Sequence, residues 1–378
     1  MKIIVIGAGL IGGVIARDLV GLQEYQISVA DIDQQKLEIL SKDLSVNTVP
    51  ADLSDIKIIK KIIADQDIVV CAVPGFLGFN IFKTAIESGK NIVDISSMSE
   101  NQMELDDLAK KNEVSAVVEM GVAPGISNMI VGYVDSLLDE TESAEILVGG
   151  LPVKRELPFE YKITWSLRDT LEQNVIPAKI VENGKLIEKE ALSEVELINF
   201  PKIGTLEAFN TDGLGNLIHT LKIPFMKEKT LRYPGYADKM RMLRETGFFS
   251  DTAIDVKGMK VNPLDFTSEL LTPHWKLEEG EGELIIMRVV VQGIKNKQKL
   301  RYTYDMLDYF DKNTMTTSMA RNTAFPASIM SHLIAKKDFS KAGVFPGEYI
   351  GQDHRIYQTV MKELEKRNIF YQEDIKKI

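Results

Sequence analysis

The sequence predicts an α/β protein in which a doubly wound parallel sheet is followed by an inserted, mainly antiparallel α+β domain. Over the first third of the 378 residues, β-branched runs alternate with amphipathic segments, and a glycine-rich turn follows the first run. After Pro124-Gly125 the pattern changes to paired apolar runs joined by short turns, which is typical of antiparallel sheets. Hairpins are predicted at Asn183-Gly184 and around Gly293 to Lys297. We place the domain boundaries at 1–123, 124–318 and 319–378, and we expect the last, helical segment to pack back on the first domain.

The chain opens with a buried-strand pattern, Lys2 to Ile6, followed by Gly-Ala-Gly-Leu-Ile-Gly and an amphipathic helix. Gly7 permits the tight turn, Gly9 lets the backbone approach a pyrophosphate, and Gly12 lets helix and strand pack closely. The N–H groups at the start of the helix then bind the phosphates. The pattern predicts a Rossmann-type domain whose first cofactor contacts are Gly7, Gly9, Leu10, Ile11 and Gly12.

The second predicted strand, YQISVADID, ends in Asp31, which lies 19 residues after Gly12. An acid there accepts hydrogen bonds from ribose hydroxyls and repels a 2′-phosphate, so it predicts NAD rather than NADP. In the alternative, Asp31 caps the next helix, and Asp33 shares or takes the ribose role. Later cofactor contacts are expected at the C-terminal ends of the following strands. They are Asp52, Leu53, Ala72, Val73, Pro74, Ser96, Ala123 and Pro124, of which Asp52 also fits a turn-forming Asx cap.

Composition excludes several function classes. The net charge of −10 argues against a nucleic-acid or anionic-membrane surface. Cys71 is the only cysteine, and there is no HExxH motif or carboxylate cluster, so we expect neither an internal disulfide nor a metal site. Met1-Lys2 leads straight into a strand, and no apolar run reaches the ~20 residues that span a bilayer, so we expect a cytoplasmic protein. Edge strands of the inserted sheet suit pairing across a two-fold axis, which favours a homodimer.

Several separated motifs resemble the saccharopine dehydrogenase-like family of amino-acid oxidoreductases over nearly the whole chain. They are the glycine turn, GVAPGIS, GGLP followed by YKITWS, GTLEAFNTDGL, TLRYPGY, and MARNTAFPASI with GVFPGE. The resemblance implies a small amino-acid substrate and NAD. It implies oxidative deamination of the ε-amine of L-lysine to 2-aminoadipate 6-semialdehyde and ammonia. The alternatives are a saccharopine or carboxynorspermidine dehydrogenase of the same family, or a non-enzymatic NAD-sensing module.

Departures from the family pattern favour the smaller substrate. Saccharopine-forming relatives tend to carry Asp where this chain has Ala123, and Arg-Asp-Ser where it has Thr211-Asp212-Gly213. Because an Arg grips the second carboxylate-bearing arm of saccharopine well, its absence at Thr211 fits a substrate with one carboxylate. One departure does not favour the smaller substrate. Arg168-Asp169 stands where relatives often have glycine, so we expect the local loop to differ from theirs.

The stretch LEAFNTDGLGNLIHTL, residues 206–221, carries the main catalytic candidates. Its leucines and Ile218 predict a helix with one apolar stripe, and Asp212 and His219 then share the opposite face. His219 suits a general base or proton shuttle, and Glu119, which ends a strand, suits the substrate ammonium. In the alternative reading, Thr211 or Asp212 caps the helix and His219 lies at its surface.

Five residues are expected to bind the substrate. Arg232 and Arg241 lie in a locally basic stretch and suit a carboxylate, although Arg241 fits a solvated ion pair equally well. YKITW reads as a strand that puts Tyr161 and Trp165 on one face, where they line an aliphatic channel or simply pack in the sheet. Thr211, in the family motif, completes the set.

Overall fold

The computed structural model describes residues 1–163, 167–278 and 280–378, without the side chains of Arg168 and Asp169. It divides into two compact units. Unit 1 comprises Met1–Leu137 with Ala320–Phe370, and unit 2 comprises Leu138–Met319 with Tyr371–Ile378. In these described ranges no helix has the length and apolar character needed to cross a membrane.

The elements up to Leu137 alternate between strands and helices. They are β1 (Lys2–Ile6), α1 (Leu10–Gly21), β2 (Gln26–Asp31), α2 (Gln34–Asp43), β3 (Asn47–Pro50), α3 (Ile56–Ile63), β4 (Ile68–Cys71), α4 (Gly75–Glu87), β5 (Asn91–Asp94), α5 (Asp106–Lys111), β6 (Ser115–Val117) and α6 (Ile126–Leu137).

Strands dominate the next part of the chain. The elements are β7 (Glu140–Pro152), α7 (Leu167–Gln173), β8 (Ala178–Glu182), β9 (Lys185–Lys189), β10 (Glu196–Phe200), β11 (Gly204–Asn210), α8 (Leu217–Thr220), β12 (Phe225–Arg232), α9 (Tyr236–Glu245), β13 (Ile254–Val256), β14 (Met259–Val261), α10 (Pro263–Trp275), β15 (Glu283–Lys295) and β16 (Gln298–Tyr309). The last elements are α11 (Ser318–Ala335), β17 (Gly343–Phe345), α12 (Gly347–Gln352), α13 (His354–Lys366) and β18 (Tyr371–Lys377).

Unit 1 is built on a fully parallel sheet with the strand order β17-β6-β5-β4-β1-β2-β3. Its central strands are continuous apolar runs because helices cover both faces of such a sheet. Ile3–Ile6 and Ile68–Cys71 are completely buried. The carboxyl ends of parallel strands meet at one edge, which is where this fold class binds ligands. The predicted doubly wound sheet is confirmed.

The boundaries differ from those expected at 123 and 319–378. Helix α6 belongs to unit 1 because its backbone packs directly on α12. A Cβ at Gly132 would lie 2.1 Å from the carbonyl oxygen of Glu348, and one at Gly351 would lie 2.0 Å from that of Met129. The last residues also differ, since β18 is a strand of unit 2 and not part of a helical segment.

Unit 2 is built on a nine-stranded mixed sheet. Seven strands follow the order β10-β11-β12-β7-β15-β16-β18, and the β8–β9 hairpin joins at β12. Only the β12–β7 pair among these is parallel. The predicted hairpins are confirmed: Asn183-Gly184 and Asn296-Lys297 turn with positive φ, the geometry that matches strand twist in tight hairpins.

Candidate functional site

The turn between β1 and α1, with the first residues of α1, contains three glycines, which carry no side chain, and we call residues 7–12 the glycine cradle. Gly7 has a φ of 104°, and a Cβ there would lie 2.3 Å from the carbonyl oxygen of Ala72. A Cβ at Gly12 would lie 1.9 Å from the carbonyl oxygen of Gly7. At Gly9, by contrast, a Cβ would meet no described atom within 4 Å. The helix start that follows Gly9 thus lies beside open space, where N–H groups and the helix dipole suit a phosphate. These residues fit a dinucleotide.

We expect Gly9→Ala to weaken dinucleotide binding alone and Gly12→Ala to lower thermal stability as well. The Gly9→Ala methyl enters the open space of the cradle, so the dissociation constant for the dinucleotide rises about tenfold or more while Tm is unchanged. The Gly12→Ala methyl collides with backbone, so Tm falls as well. Calorimetric titration and thermal unfolding measure the two effects. Gly13→Ala is the control, since its Cβ would make an ordinary 3.5 Å contact with Leu40. A fall in Tm for Gly9→Ala as large as that for Gly12→Ala would contradict the assignment.

Asp31, at the end of β2, lies directly beside the glycine cradle. Its Oδ2 accepts a 2.6 Å hydrogen bond from the Ala8 N–H, and its Oδ1 accepts one of 2.8 Å from the Asp33 N–H. Asp33 instead caps α2, because its carboxylate accepts from the N–H groups of Gln35 and Lys36. Asp33 is therefore the cap of α2 and Asp31 the acid that contacts the glycine cradle, while the ribose role of Asp31 stays a prediction.

The ends of β3 and β4 carry the next predicted cofactor residues. The Asp52 carboxylate accepts from Ser54 N and Oγ at 2.9 and 2.6 Å, so it makes the Asx contact that was its alternative role, and these bonds lower its pKa. Leu53 is buried in the core of unit 1. Ala72, Val73 and Pro74 follow β4, and Ala72 is the residue that Gly7 and Gly12 approach.

The ends of β5 and β6 bring together two carboxyl groups. Asp94 accepts hydrogen bonds from Ser96 N and Oγ at 2.7 and 3.0 Å, and burial, with a contribution from the Glu119 charge, raises the pKa of Asp94 to about 7. Glu119 has a φ of 55° and follows β6, shortly before Ala123 and Pro124. Asp94 lies at the strand end from which the sequence predicts cofactor contacts, and its burial makes it a titratable group in the neutral range.

In unit 2, the guanidinium of Arg232 lies in an aromatic cage. It is 4.8 Å from the ring centroid of Tyr161 and 5.5 Å from that of Tyr236. Arg232 is only 5% exposed, and its Nε has no hydrogen-bond partner among the described residues. One of its N–H groups donates to the carbonyl of Leu231 at 2.8 Å. A buried guanidinium with an unused N–H suits a planar anion such as a carboxylate.

A buried polar cluster lies along the same strand as Arg232. The Thr211 hydroxyl, fully buried, donates to Glu228 Oε2 at 2.6 Å and lies 2.8 Å from the Thr230 hydroxyl. Burial, together with the charge of Asp212, raises the pKa of Glu228 to about 8. Sequence reasoning missed Glu228. The available signal was an acid inside FMKEKTLRY, a run that otherwise reads as a strand.

The helix predicted from Asp212 to Leu221 is wrong. Strand β11 ends at Asn210, Gly215 adopts a φ of 56°, and only Leu217–Thr220 is helical. One turn of helix cannot align two side chains seven residues apart, so Asp212 and His219 do not share a helix face. Asp212 lies 3.6 Å from the Lys179 ammonium, and His219 is exposed. The buried leucines of the predicted stripe, Leu214, Leu217 and Leu221, do pack inward.

The remaining predicted substrate residues have different outcomes. Arg241 pairs with Asp238 at 2.8 Å and donates to the Leu192 carbonyl, which is the ion-pair role held as its alternative.

Trp165 lies outside the described residues. The strand predicted over YKITW is wrong at its described part, because Tyr161 and Ile163 lie in irregular backbone before α7. The Tyr161 ring packs at 5.0 Å from Trp275, and this tertiary contact overrides the local pattern.

Glu228 is expected to make stability fall as pH rises. At low pH the carboxyl is protonated in the folded and in the unfolded protein. Above its ordinary pKa of 4.5 the carboxyl ionises in the unfolded protein, while in the folded protein it stays neutral to about pH 8. The free energy of unfolding therefore falls as the pH rises between these two values, with a slope of at most about 1.4 kcal/mol per pH unit. Glu228→Gln removes the contribution of Glu228 to this slope. Urea unfolding of wild type and variant at pH 5, 6.5 and 8 measures it. Burial likewise raises the pKa of Glu283 to about 7, so Glu283→Gln should remove a second contribution of the same sign. Parallel curves for wild type and Glu228→Gln would contradict this prediction.

A parallel sheet with a glycine cradle and an acid after its second strand defines a dinucleotide-binding domain. Comparison with known families agrees with this class. The model described as "Saccharopine dehydrogenase NADP binding domain" matches residues 3–117, and the model "Saccharopine dehydrogenase C-terminal domain" matches residues 121–369. The chain belongs to the saccharopine dehydrogenase family of oxidoreductases, as its motifs predicted.

Relatives of known activity match at low identity. The saccharopine dehydrogenase [NADP(+), L-glutamate-forming] of Schizosaccharomyces pombe is 23% identical over 99% of both chains. The Saccharomyces cerevisiae enzyme of the same name is 24% identical over 68% of this chain, an alignment that spans 60% of that protein. A carboxyaminopropylagmatine dehydrogenase of Synechocystis is 21% identical over 93% of both chains. The solved apo saccharopine dehydrogenase of S. cerevisiae matches with a TM-score of 0.84 at 18% identity over 99% of both chains, which establishes the shared fold.

Proposed function

We propose that this chain is an NAD-dependent lysine 6-dehydrogenase, which converts the ε-amine of L-lysine to an aldehyde and releases ammonia. The observation that carries the proposal is the environment of position 211. Thr211 is fully buried and hydrogen-bonded to Glu228, and Asp212 follows it. Thr211 stands where saccharopine-forming relatives tend to carry a guanidinium, so this position offers no cation for a second, dicarboxylic arm, and a substrate with one carboxylate is favoured.

Arg232 is the proposed anchor for the substrate's α-carboxylate. Its Nε–H, which no described residue binds, and the plane of the guanidinium match a carboxylate, and the tyrosine rings hold that plane in position. A single such anchor accommodates the one carboxylate of lysine. Tyr161, which lies against the guanidinium, would contact the substrate's methylene chain.

The proposed reaction needs a base. The ε-ammonium gives a proton to a side chain, for which Asp212, His219 and Glu119 are the candidates. When bound, the nicotinamide supplies the hydride acceptor for the carbon that carries the amine. Water then adds to the resulting imine, the carbon–nitrogen bond breaks, and ammonia leaves with the protons that water and the base return.

The cofactor proposed is NAD. The Asp31 carboxylate is fixed beside the glycine cradle, where it favours ribose hydroxyls over a phosphate. The next residue, Ile32, is 71% exposed and brings no positive charge to this strand end.

The decisive experiment follows absorbance at 340 nm with free L-lysine, NAD and purified protein. Reduction of NAD by lysine alone, with ammonia and semialdehyde as products, supports the proposal. A lack of turnover with lysine, together with reduction of the imine formed from lysine and a dicarboxylic keto acid, would overturn it. NAD binding without oxidation of any amino acid or polyamine would instead indicate a sensor.

The second candidate is a saccharopine-type dehydrogenase, which acts on a secondary amine. The match to the S. pombe enzyme over 99% of both chains favours it. It needs two further carboxylate anchors, and Arg241 would have to leave its ion pair with Asp238 to supply one. The same assay with saccharopine as substrate separates the two candidates.

A further inference from the structure

Glu207 on β11 lies directly opposite Arg232 on β12, the proposed anchor for the substrate's α-carboxylate. Opposite residues of an antiparallel pair share a face, and both of these side chains are buried. A carboxylate and a guanidinium on one buried face are well placed for an ion pair. Within the described ranges these two groups do not form one. The guanidinium instead donates to the carbonyl of Leu231 and lies over the rings of Tyr161 and Tyr236.

The Glu207 carboxylate binds N–H groups at the start of α9. Its Oε2 accepts a 2.7 Å hydrogen bond from the Gly235 N–H, and its Oε1 accepts one of 2.6 Å from the Ala237 N–H. Gly235, at the N-cap position, has no side chain that could bind these donors. The first N–H groups of a helix lack partners inside the helix, and the helix dipole favours a negative charge there. Glu207 therefore caps α9 from a distant strand.

The cap fixes the backbone on both sides of Tyr236, because Gly235 and Ala237 are its neighbours in the chain. The Tyr236 ring is buried and lies nearly parallel to that of Phe209, with the ring centroids 5.9 Å apart. Phe209 follows Glu207 by two residues on β11, so the two side chains share a face. Two side chains of one strand thus hold Tyr236 in place, Phe209 through its ring and Glu207 through the backbone.

We propose that Glu207 is a positioning residue for the substrate's carboxylate. It holds Tyr236 against the Arg232 guanidinium through the cap of α9. Because both of its oxygens bind N–H groups, it also leaves the positive charge of Arg232 to the substrate. A bidentate pair between Glu207 and Arg232 would instead occupy the donors that the substrate needs. This inference rests on the proposed function of Arg232 and concerns a residue that acts through it.

Glu207→Gln tests the proposal with L-lysine and with 1,5-diaminopentane, which lacks the α-carboxylate. The amide keeps one acceptor oxygen but directs an NH2 donor at the other backbone N–H, so the cap loses one bond. We expect KM for lysine to rise about tenfold, with kcat changed by less than about twofold and kcat/KM for the diamine unchanged. Asp55→Ala is the control, because Asp55 caps α3 through the Lys57 N–H, and its loss should lower Tm without changing either KM. Equal losses with both substrates would overturn the proposal.

A double-mutant cycle tests whether Glu207 acts through Arg232. If it does, Glu207→Gln changes KM for lysine little when it is added to Arg232→Gln, because the group that it positions is already lost. If the two substitutions instead multiply each other's effects, Glu207 acts independently of Arg232 and the proposal fails.

Calorimetric titration with L-norleucine separates this inference from the proposed activity. Norleucine keeps the α-carboxylate of lysine but has no ε-amine to oxidise, so its binding reports on the anchor without turnover. We expect its dissociation constant to rise about tenfold in Glu207→Gln. If this rise is seen while lysine is not oxidised, the proposed activity fails and the role of Glu207 stands. If norleucine binds wild type and Glu207→Gln equally, or does not bind wild type, the role of Glu207 is overturned whether or not lysine is oxidised.

Discussion

Arg232→Gln is expected to lower kcat/KM for L-lysine about a hundredfold, mainly through KM. The side chain is buried beside two tyrosine rings, and its Nε–H has no partner among the described residues. Glutamine lacks both the positive charge and the planar set of N–H donors of the guanidinium. Removing one partner of a buried, hydrogen-bonded charge pair typically costs about 2–5 kcal/mol. Arg232→Lys keeps the charge without the fork, so an intermediate loss is expected.

Substrate comparison separates binding from folding in this prediction. 1,5-Diaminopentane is lysine without the α-carboxylate, so Arg232→Gln should reduce turnover of lysine far more than turnover of the diamine. A purely structural role would reduce both equally. Arg241→Gln is the matched control, because Arg241 is engaged with Asp238 and the Leu192 carbonyl, and it should leave KM for lysine unchanged. A fall in NAD affinity for Arg232→Gln would indicate general damage and contradict the assignment.

The second large effect concerns the cofactor. Wild type is expected to prefer NAD over NADP by about a hundredfold, because a 2′-phosphate near Asp31 meets a fixed carboxylate at an effective cost of several kcal/mol. Asp31→Ser combined with Ile32→Arg removes the acid and adds a cation at an exposed position, so the preference should reverse. The ratio of kcat/KM for the two cofactors measures it.

Asp33→Ala provides the control for this prediction. Asp33 caps α2 through the N–H groups of Gln35 and Lys36, so its loss should lower stability by about 1 kcal/mol without changing cofactor preference. If Asp33→Ala changes the preference and the Asp31 variant does not, the ribose role belongs to Asp33. A wild type that uses NADP as well as NAD, as the matched family model's description would suggest, would overturn the NAD proposal.

Local patterns predicted much of the fold. The β1 run followed by three spaced glycines, and the hairpins at Asn183-Gly184 and Asn296-Lys297, are confirmed because each depends on residues close together in the chain. Predictions failed where distant contacts compete with local preference. The region 212–221 has the spacing of a helix, but the packing of Gly213 against the Glu228 carboxyl favours a loop. A Cβ at Gly213 would lie 2.7 Å from that group.

The sequence by itself determined the parallel sheet, its glycine cradle and the acid at the end of β2, since a strand period, a glycine spacing and a charge are all local properties. Only the tertiary structure decided that Tyr161 stacks on Arg232, that Thr211 binds Glu228, and that β18 returns to the edge of the second sheet. These contacts join residues far apart in the chain. Their geometry depends on sheet order and burial, which no single stretch of sequence encodes.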